Sequence, residues 1–264
     1  MAKRPAVRRT RDQAEQSRQS HSLGGSKHGS YVQEESNVRA LFGWNPTAQD
    51  DGPDRDQSFL KKVKPRTVGQ EKLMDAIDSN PLVVAIGPAG TGKTYLAITK
   101  AVEALEAGRV SRIVLSRPAV EAGESIGFLP GHMEEKLAPY LRPLMDALSD
   151  RLSPKRLKTM MVEGLIEIAP IGFMRGRTLN NAFVVIDEAQ NCTYGQLKML
   201  LTRLGWHSTM VVTGDPAQTD LLPELSGLGQ IADALDRLDD VAVVRLADVD
   251  IVRHPLVASM LSVL

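Results

Sequence analysis

The sequence contains little cysteine, few aromatic residues and no long hydrophobic run, and each shortage excludes a class of protein. Cys192 is the one cysteine among 264 residues, which excludes a disulfide within the chain and indicates a reducing compartment. No apolar stretch approaches the ~20 residues of a membrane-spanning helix. The basic N-terminus lacks the apolar segment of a secretory signal, and the five histidines lack the spacing of metal ligands. These absences predict a soluble, cytoplasmic protein that does not associate with membranes.

The sequence also has no net charge, because 32 basic residues balance 32 acidic ones. Overall charge therefore predicts no affinity for nucleic acid or membranes. The distribution is uneven, since residues 1–40 hold eight basic residues and four acidic ones. Residues 1–55 have few aliphatic side chains to offset the entropy cost of ordering. We expect residues 1–55 to form a flexible basic arm, either a nucleic-acid contact or a solvated tail, and residues 56–264 to form one domain.

From about Lys64 the sequence alternates between strand and helix patterns. The predicted strands, several of them continuous β-branched runs, are Leu82–Ile86, Arg112–Ser116, Ile166–Ala169, Phe183–Asp187, Thr209–Thr213 and Val241–Leu246. Helical patterns cover 93–107, 131–151, 154–163, 193–204 and 227–238. Continuous apolar strands are typical of a parallel sheet covered on both faces. The sequence therefore predicts an α/β fold, a doubly wound parallel sheet with helices on both faces.

A complete phosphate-binding motif follows the first predicted strand. It runs through Gly87, Pro88, Ala89, Gly90, Thr91, Gly92, Lys93 and Thr94, and a helix pattern begins at its end. Strand, glycine-rich turn and helix N-terminus direct backbone N–H groups and the helix dipole at a polyphosphate. We expect Lys93 to reach the β- and γ-phosphates and the Thr94 hydroxyl to bind Mg²⁺. The alternative is a chance glycine-rich turn before a helix.

The run Phe183–Gln190 supplies carboxylates that such a loop needs for hydrolysis. Four apolar strand residues lead to Asp187 and Glu188 at the carboxyl edge of the sheet, where ligands bind in open α/β folds. We expect Asp187 to hold Mg²⁺ and Glu188 to polarise the attacking water. The alternative is a helix cap at Asp187 with Glu188 in the first turn.

Two glutamines complete the predicted nucleotide site. Gln218 follows the strand Thr209–Thr213, and the same sheet edge would bring it near the γ-phosphate as a sensor of hydrolysis. Gln70 precedes the first helical segment, and its amide can both donate to and accept from adenine. No Asn-Lys-x-Asp sequence for reading guanine occurs, so ATP is favoured over GTP.

Taken together, these segments resemble the PhoH family of P-loop ATPases, whose core is related to superfamily-one helicases. The resemblance covers residues 65–264 and rests on Gly87–Thr94, Ser116–Pro118, Gly127–Gly131, Ile168–Pro170, Met174–Thr178, Asp187–Asn191, Thr213–Asp215 and Asp250–His254. It implies a RecA-like fold, ATP hydrolysis with Mg²⁺, an RNA-linked role and ring-shaped homo-oligomers such as hexamers. It also implies that Arg253 is an arginine finger, the alternative being a surface or ion-paired arginine.

The resemblance leaves two questions open. Arg117, Arg175 and Arg177 could bind RNA phosphates or close the nucleotide site. The chain has room for one ATPase lobe, so a neighbouring subunit that supplies Arg253 would serve as the second. The leading interpretation is an ATPase that acts on single-stranded RNA as a helicase or remodeller. A nucleotide-gated scaffold and, less favoured, a phosphoryl-transfer kinase are the alternatives.

Overall fold

A computed structural model describes residues 63–118, 133–222 and 225–252, together with the helical positions 256, 257 and 260. For 133–139 it describes the backbone alone. The predicted N-terminal arm, the motif Gly127–Gly131 and Arg253 lie outside the described residues. In the described part of the chain no helix is long and apolar enough to cross a membrane.

The described residues form a parallel six-stranded sheet with helices between the strands. The helices are α1 (Val68–Ser79), α2 (Lys93–Glu106), α3 (Met133–Ser149), α4 (Pro154–Val162), α5 (Tyr194–Leu201) and α6 (Leu228–Leu235). The strands are β1 (Leu82–Ile86), β2 (Arg112–Ser116), β3 (Ile166–Ile168), β4 (Ala182–Ile186), β5 (Thr209–Gly214) and β6 (Val241–Arg245). Short 3₁₀ helices span Ile171–Met174, Ala189–Asn191 and Asp248–Asp250.

The strand order β3-β2-β4-β5-β1-β6 confirms the predicted α/β doubly wound fold of P-loop NTPases. All six predicted strands are present, with bounds that differ by at most one residue at either end. The predicted helices begin or end one to three residues away from the observed bounds, where turns and caps replace the last helical residues. One helix was not among the predicted patterns: α1 (Val68–Ser79) precedes the first of them, and Gln70 lies in its first turn, where the Thr67 hydroxyl caps the helix by accepting a hydrogen bond from the Gln70 N–H.

Alternate residues of each central strand point to opposite faces of the sheet, and both faces are buried. On β4, Phe183 and Val185 belong to the apolar cluster with α1 to α4, whereas Val184 and Ile186 belong to the cluster with α5 and α6. Cys192 is fully buried in the second cluster, and burial raises the pKa of its thiol to about 12. A reduced, unreactive core cysteine follows, as its single occurrence predicts.

Candidate functional site

The phosphate-binding motif forms a tight loop between β1 and α2. Gly87 starts it with φ 147°, and its N–H donates to the carbonyl of Gly214 at the end of β5. A Cβ at Gly87 would lie 2.4 Å from the carbonyl oxygen of Leu246, so only glycine fits there. In the described part of the chain no backbone hydrogen bond uses the N–H groups of Gly90, Thr91 and Gly92. These groups therefore remain available to an anion at the start of α2.

Lys93 occupies the centre of this loop. Its Nζ donates to the carbonyl oxygens of Gly87 at 2.6 Å and Pro88 at 2.8 Å, and the residue is 8% exposed. Burial lowers the pKa of Lys93, an effect that the carboxylates of Asp215, Glu188 and Asp187 oppose. The ammonium group therefore lies between the loop and the acidic strand ends, where a phosphate could replace the carbonyls as its partner.

Asp187 lies at the end of β4, opposite Thr94 and buried. Its Oδ1 accepts hydrogen bonds from Thr94 Oγ1 at 2.5 Å and Thr213 Oγ1 at 2.8 Å. Its Oδ2 lies 3.4 Å from Arg117 Nη1. Asp187 is therefore not a helix cap, and the alternative given for it is wrong. Its contact with Thr94 brings together the two predicted ligands of Mg²⁺.

This pair of oxygen ligands fits Mg²⁺, which commonly takes one or two protein ligands and completes its shell with phosphates and water. No group of three or more His, Cys, Asp or Glu ligands occurs among the described residues. Thr94 and Asp187 would hold the metal ion, whose positive charge would help to neutralise the negative charge that develops during phosphoryl transfer.

Glu188 adopts a left-handed backbone conformation, with φ 53°, and its side chain is 38% exposed. It immediately precedes the short helix Ala189–Asn191, and its side chain makes no capping hydrogen bond. One carboxylate oxygen accepts from Gln190 Nε2, and the other lies 3.4 Å from Arg117 Nη2. A non-glycine residue in this backbone region is uncommon and often marks a functional site. The backbone thus holds a partly exposed carboxylate beside the buried Asp187.

Gln190 and Arg117 are the residues of this site to which the sequence assigned no definite role. Gln190 is 2% exposed, and besides its bond to Glu188 its Oε1 accepts from the Asp215 N–H. It therefore links the end of β4 to the loop after β5. Arg117 contacts both Asp187 and Glu188, and with them it borders a cavity of about 350 Å³ that reaches Asp146 on α3. Of the three arginines whose role was open, Arg117 lies at the nucleotide site.

The structure places the two predicted glutamines differently. Gln70 is buried under the loop, where its Nε2 donates to Thr91 O at 3.0 Å and its Oε1 accepts from the Arg66 N–H. Gln218 lies in the turn after β5, where its N–H donates to Asp215 O and its side chain is exposed. Within the described residues its amide makes no hydrogen bond. Adenine contact by Gln70 and phosphate sensing by Gln218 stay predictions.

Asp250 ties the two segments that flank the loop. It is 6% exposed, and its carboxylate accepts hydrogen bonds from the N–H groups of Gly69 at 3.1 Å and Ala247 at 3.0 Å. These bonds and one from the Thr67 hydroxyl hold the pKa of Asp250 below its usual value. Two residues later, the Val252 N–H donates to Gly90 O in the loop. The segment that leads to Arg253 therefore starts against the loop of its own subunit.

We expect Asp250→Asn to destabilise the fold, because an amide cannot accept all the hydrogen bonds that the carboxylate accepts. The loss should be about 2 kcal/mol, or roughly 4–8 °C in Tm. The carboxylate stabilises the fold fully above its unfolded pKa of about 3.9 and loses this effect as pH falls through its lower folded value. Thermal melts from pH 7 to pH 3 should show the difference between parent and variant shrinking below about pH 4. The exposed Asp248→Asn is the control, and equal melting of Asp250→Asn and parent at pH 7 would contradict the assignment.

Comparison with known proteins identifies the relatives of this chain. A family model described as "PhoH-like protein" matches residues 62–264. A PhoH-like protein of Mycobacterium leprae is 56% identical over 201 residues, which are 76% of this chain and 58% of that protein. Protein PhoH of Escherichia coli is 44% identical over 211 residues, 78% of this chain and 59% of that protein. The chain thus spans a little under three fifths of the length of these two relatives.

Solved structures overlap the chain more loosely. A large terminase from a thermophilic bacteriophage matches with a TM-score of 0.48 and 12% identity, over 75% of this chain and 50% of that one. Because the family model covers most of the chain and the sheet carries the loop and carboxylates at one edge, the predicted family is confirmed. The chain belongs to the family of PhoH-like proteins.

Proposed function

We propose that this protein binds ATP with Mg²⁺ and hydrolyses it, and that it acts on single-stranded RNA as an oligomer in the cytoplasm. The observation that carries the ATPase part is the juxtaposition of Lys93, Asp187 and Glu188 at one edge of the sheet. The hydrogen bond between Thr94 Oγ1 and Asp187 Oδ1 closes this arrangement. A phosphate held by the loop would then face a metal-binding pair and a carboxylate able to orient water.

The chemistry we propose divides the work among few side chains. The loop N–H groups and Lys93 bind the β- and γ-phosphates, while Thr94 and Asp187 hold Mg²⁺. Glu188 orients water for attack on the γ-phosphorus and receives its proton, while the bond from the γ-phosphorus to the β–γ bridging oxygen breaks and ADP leaves. Arg117 pairs with both carboxylates and therefore lies beside the groups that perform these tasks. Its guanidinium remains close enough to offset negative charge on the transferred group.

The proposed oligomer rests on Arg253, which the family resemblance identifies as an arginine finger for the site of a neighbouring subunit. A head-to-tail contact that closes into a ring, such as a hexamer, would let each subunit complete its neighbour's site with Arg253. Curated PhoH-like relatives are longer than this chain, so their whole-protein activities extend to it only as part of this proposal.

One experiment tests both parts: ATP turnover with and without single-stranded RNA, at several protein concentrations and with the oligomeric state measured in parallel. We expect turnover per subunit to rise with assembly and RNA to stimulate it. Turnover that RNA leaves unchanged would favour a nucleotide-gated scaffold. Transfer of phosphate to a small molecule would favour a kinase, and equal turnover per subunit in a monomeric sample would contradict the shared site.

A further inference from the structure

An exposed aromatic residue and an exposed arginine lie two residues apart at the sheet edge that carries the phosphate loop. Phe173 lies in the 3₁₀ helix Ile171–Met174, directly after β3, and is 65% exposed. Arg175 follows it and is also exposed. All strands are parallel, so the residues after β3 lie at the same carboxyl edge as the loop after β1 and the carboxylates after β4.

The short helix holds Phe173 outward. The first and last residues of the helix, Ile171 and Met174, are buried, at 8% and 0% exposure, in the apolar cluster that contains residues of α5. The Phe173 N–H donates to Pro170 O at 2.9 Å, which fixes the turn. A ring on an anchored turn loses little conformational entropy when a planar ligand stacks on it. Phe173 is not part of the apolar core, whereas Ile171 and Met174 are.

Arg175 and Arg177, whose roles the sequence left open, differ in their ion pairs. Arg177 makes a bidentate pair with Glu167, at 2.5 and 2.7 Å, which lowers the pKa of that glutamate. Arg203 donates to the backbone oxygens of Arg177 and Met199. Neither Arg175 nor Arg203 pairs with a carboxylate among the described residues. Arg175, two residues after Phe173, is therefore an exposed cation without a carboxylate partner among the described residues.

We propose that Phe173 and Arg175 bind single-stranded nucleic acid, Phe173 by stacking on a base and Arg175 by pairing with a backbone phosphate. Exposed rings that stack bases and arginines that hold phosphates are the two elements by which proteins bind single strands. A duplex hides its base faces, so it offers Phe173 nothing to stack on. The inference deepens the proposed function, on which it rests, by naming the contact surface.

The position of this surface offers a route to the reaction centre. β3 is followed in the sheet by β2 and β4, so the end of β3 lies two strand spacings, about 10 Å, from the end of β4, which Asp187 and Glu188 follow. The Ala169 N–H, just before the short helix, donates to Leu115 O on β2, two residues before Arg117. A nucleic-acid strand bound at Phe173 would therefore contact the segment after β3, which is hydrogen-bonded to the end of β2 that positions Arg117.

The test compares four variants of the full chain, two at this surface and two at the opposite edge. Phe173→Ala and Arg175→Ala remove the proposed contacts. Trp206→Ala removes an aromatic residue that is 81% exposed, and Arg109→Ala removes an exposed arginine. Both controls precede strands, β5 and β2, and so lie at the amino edge of the sheet. Binding is measured by fluorescence anisotropy with labelled oligouridine and oligodeoxyuridine, which differ only in the 2′-hydroxyl, at two salt concentrations, and basal ATP turnover without nucleic acid checks the fold.

We expect Phe173→Ala to weaken binding of the single strand by about 5- to 150-fold, with Phe173→Tyr restoring it. Arg175→Ala should reduce the salt dependence of binding by about 0.7 in logarithmic slope. Basal turnover should stay unchanged in both variants, and Trp206→Ala and Arg109→Ala should bind as the parent does. Tighter binding of oligouridine than of oligodeoxyuridine would identify RNA as the ligand through its 2′-hydroxyl, and equal binding would identify single strands of either kind.

Two results would overturn the inference, and they differ in what they say of the proposed function. If the parent binds RNA and both surface variants bind it equally well, the contact lies elsewhere and the RNA-linked function stands. If the parent binds neither oligonucleotide, the RNA-linked function and this surface fail together.

Discussion

Replacing Lys93 with alanine should lower ATP affinity by about 10- to 150-fold and turnover by at least about 100-fold. The ammonium donates to the carbonyl oxygens of Gly87 and Pro88 and lies in a loop whose N–H groups point at the same place. A phosphate that replaces those carbonyls would gain a charge-assisted hydrogen bond in a partly buried site. The same charge would stabilise the transferred phosphate more strongly as its negative charge develops. Titration calorimetry gives the affinity, and phosphate release gives the turnover.

Lys100 provides the matched control for Lys93→Ala. It lies on the same helix, is also buried, and pairs with Asp78 on α1, away from the loop. Lys100→Ala should lower the Tm while leaving ATP affinity within about threefold of the parent. If Lys93→Ala binds and hydrolyses ATP as Lys100→Ala does, the loop does not bind phosphate through this lysine.

The strand and helix pattern of this sheet could be predicted because its information is local. Each central strand is a short apolar run, and residues such as Val184 and Val185 are buried on opposite faces, so continuous hydrophobicity indicates two covered faces. The ends of helices were less certain. Helix α1 starts where the Thr67 hydroxyl caps it by accepting a hydrogen bond from the Gln70 N–H, so Gln70 lies inside the helix.

The candidate site could be predicted only as far as its motifs extend. Lys93, Asp187 and Glu188 follow strands whose carboxyl ends meet, so their proximity follows from the topology. The bonds made by Gln190, Arg117 and Asp250 join segments far apart in the chain, and no spacing within one segment indicates them. The same applies to the separation of Arg117 from Arg175 and Arg177, which depends on which carboxylate each guanidinium meets.

The carboxylate of Glu188 is oriented by two neighbouring side chains in this site. Its two carboxylate oxygens face Gln190 and Arg117, so the group is oriented by one donor from each side. Gln190 also binds the loop after β5, and Arg117 also binds Asp187. Each carboxylate oxygen keeps a further lone pair, and the side chain is 38% exposed, so a water can bind to Glu188 beside these donors. Arg117, at 3.4 Å, is the weaker of the two partners.

Replacing Glu188 with glutamine should separate binding from hydrolysis. A glutamine oxygen can still accept from Gln190, but its amide group then faces the Arg117 guanidinium and can neither attract it nor take a proton. Lys93, Thr94 and Asp187 are untouched, so ATP affinity should remain within about threefold of the parent while hydrolysis falls by about 10²- to 10⁴-fold. Single-turnover hydrolysis and retention of labelled ATP on a filter measure the two effects, and the variant should hold ATP rather than ADP.

The control for Glu188→Gln is Asp146→Asn, which removes a carboxylate from the far side of the same cavity. Asp146 is exposed on α3 and contacts neither Gln190 nor Arg117 among the described contacts, so its loss should leave hydrolysis near the parental rate. Equal slowing of both variants would mean that the summed negative charge of the cavity matters and the position of Glu188 does not. Hydrolysis by Glu188→Gln at the parental rate would assign water activation to another group, and Gln218, in the exposed turn after β5, is the next residue to replace.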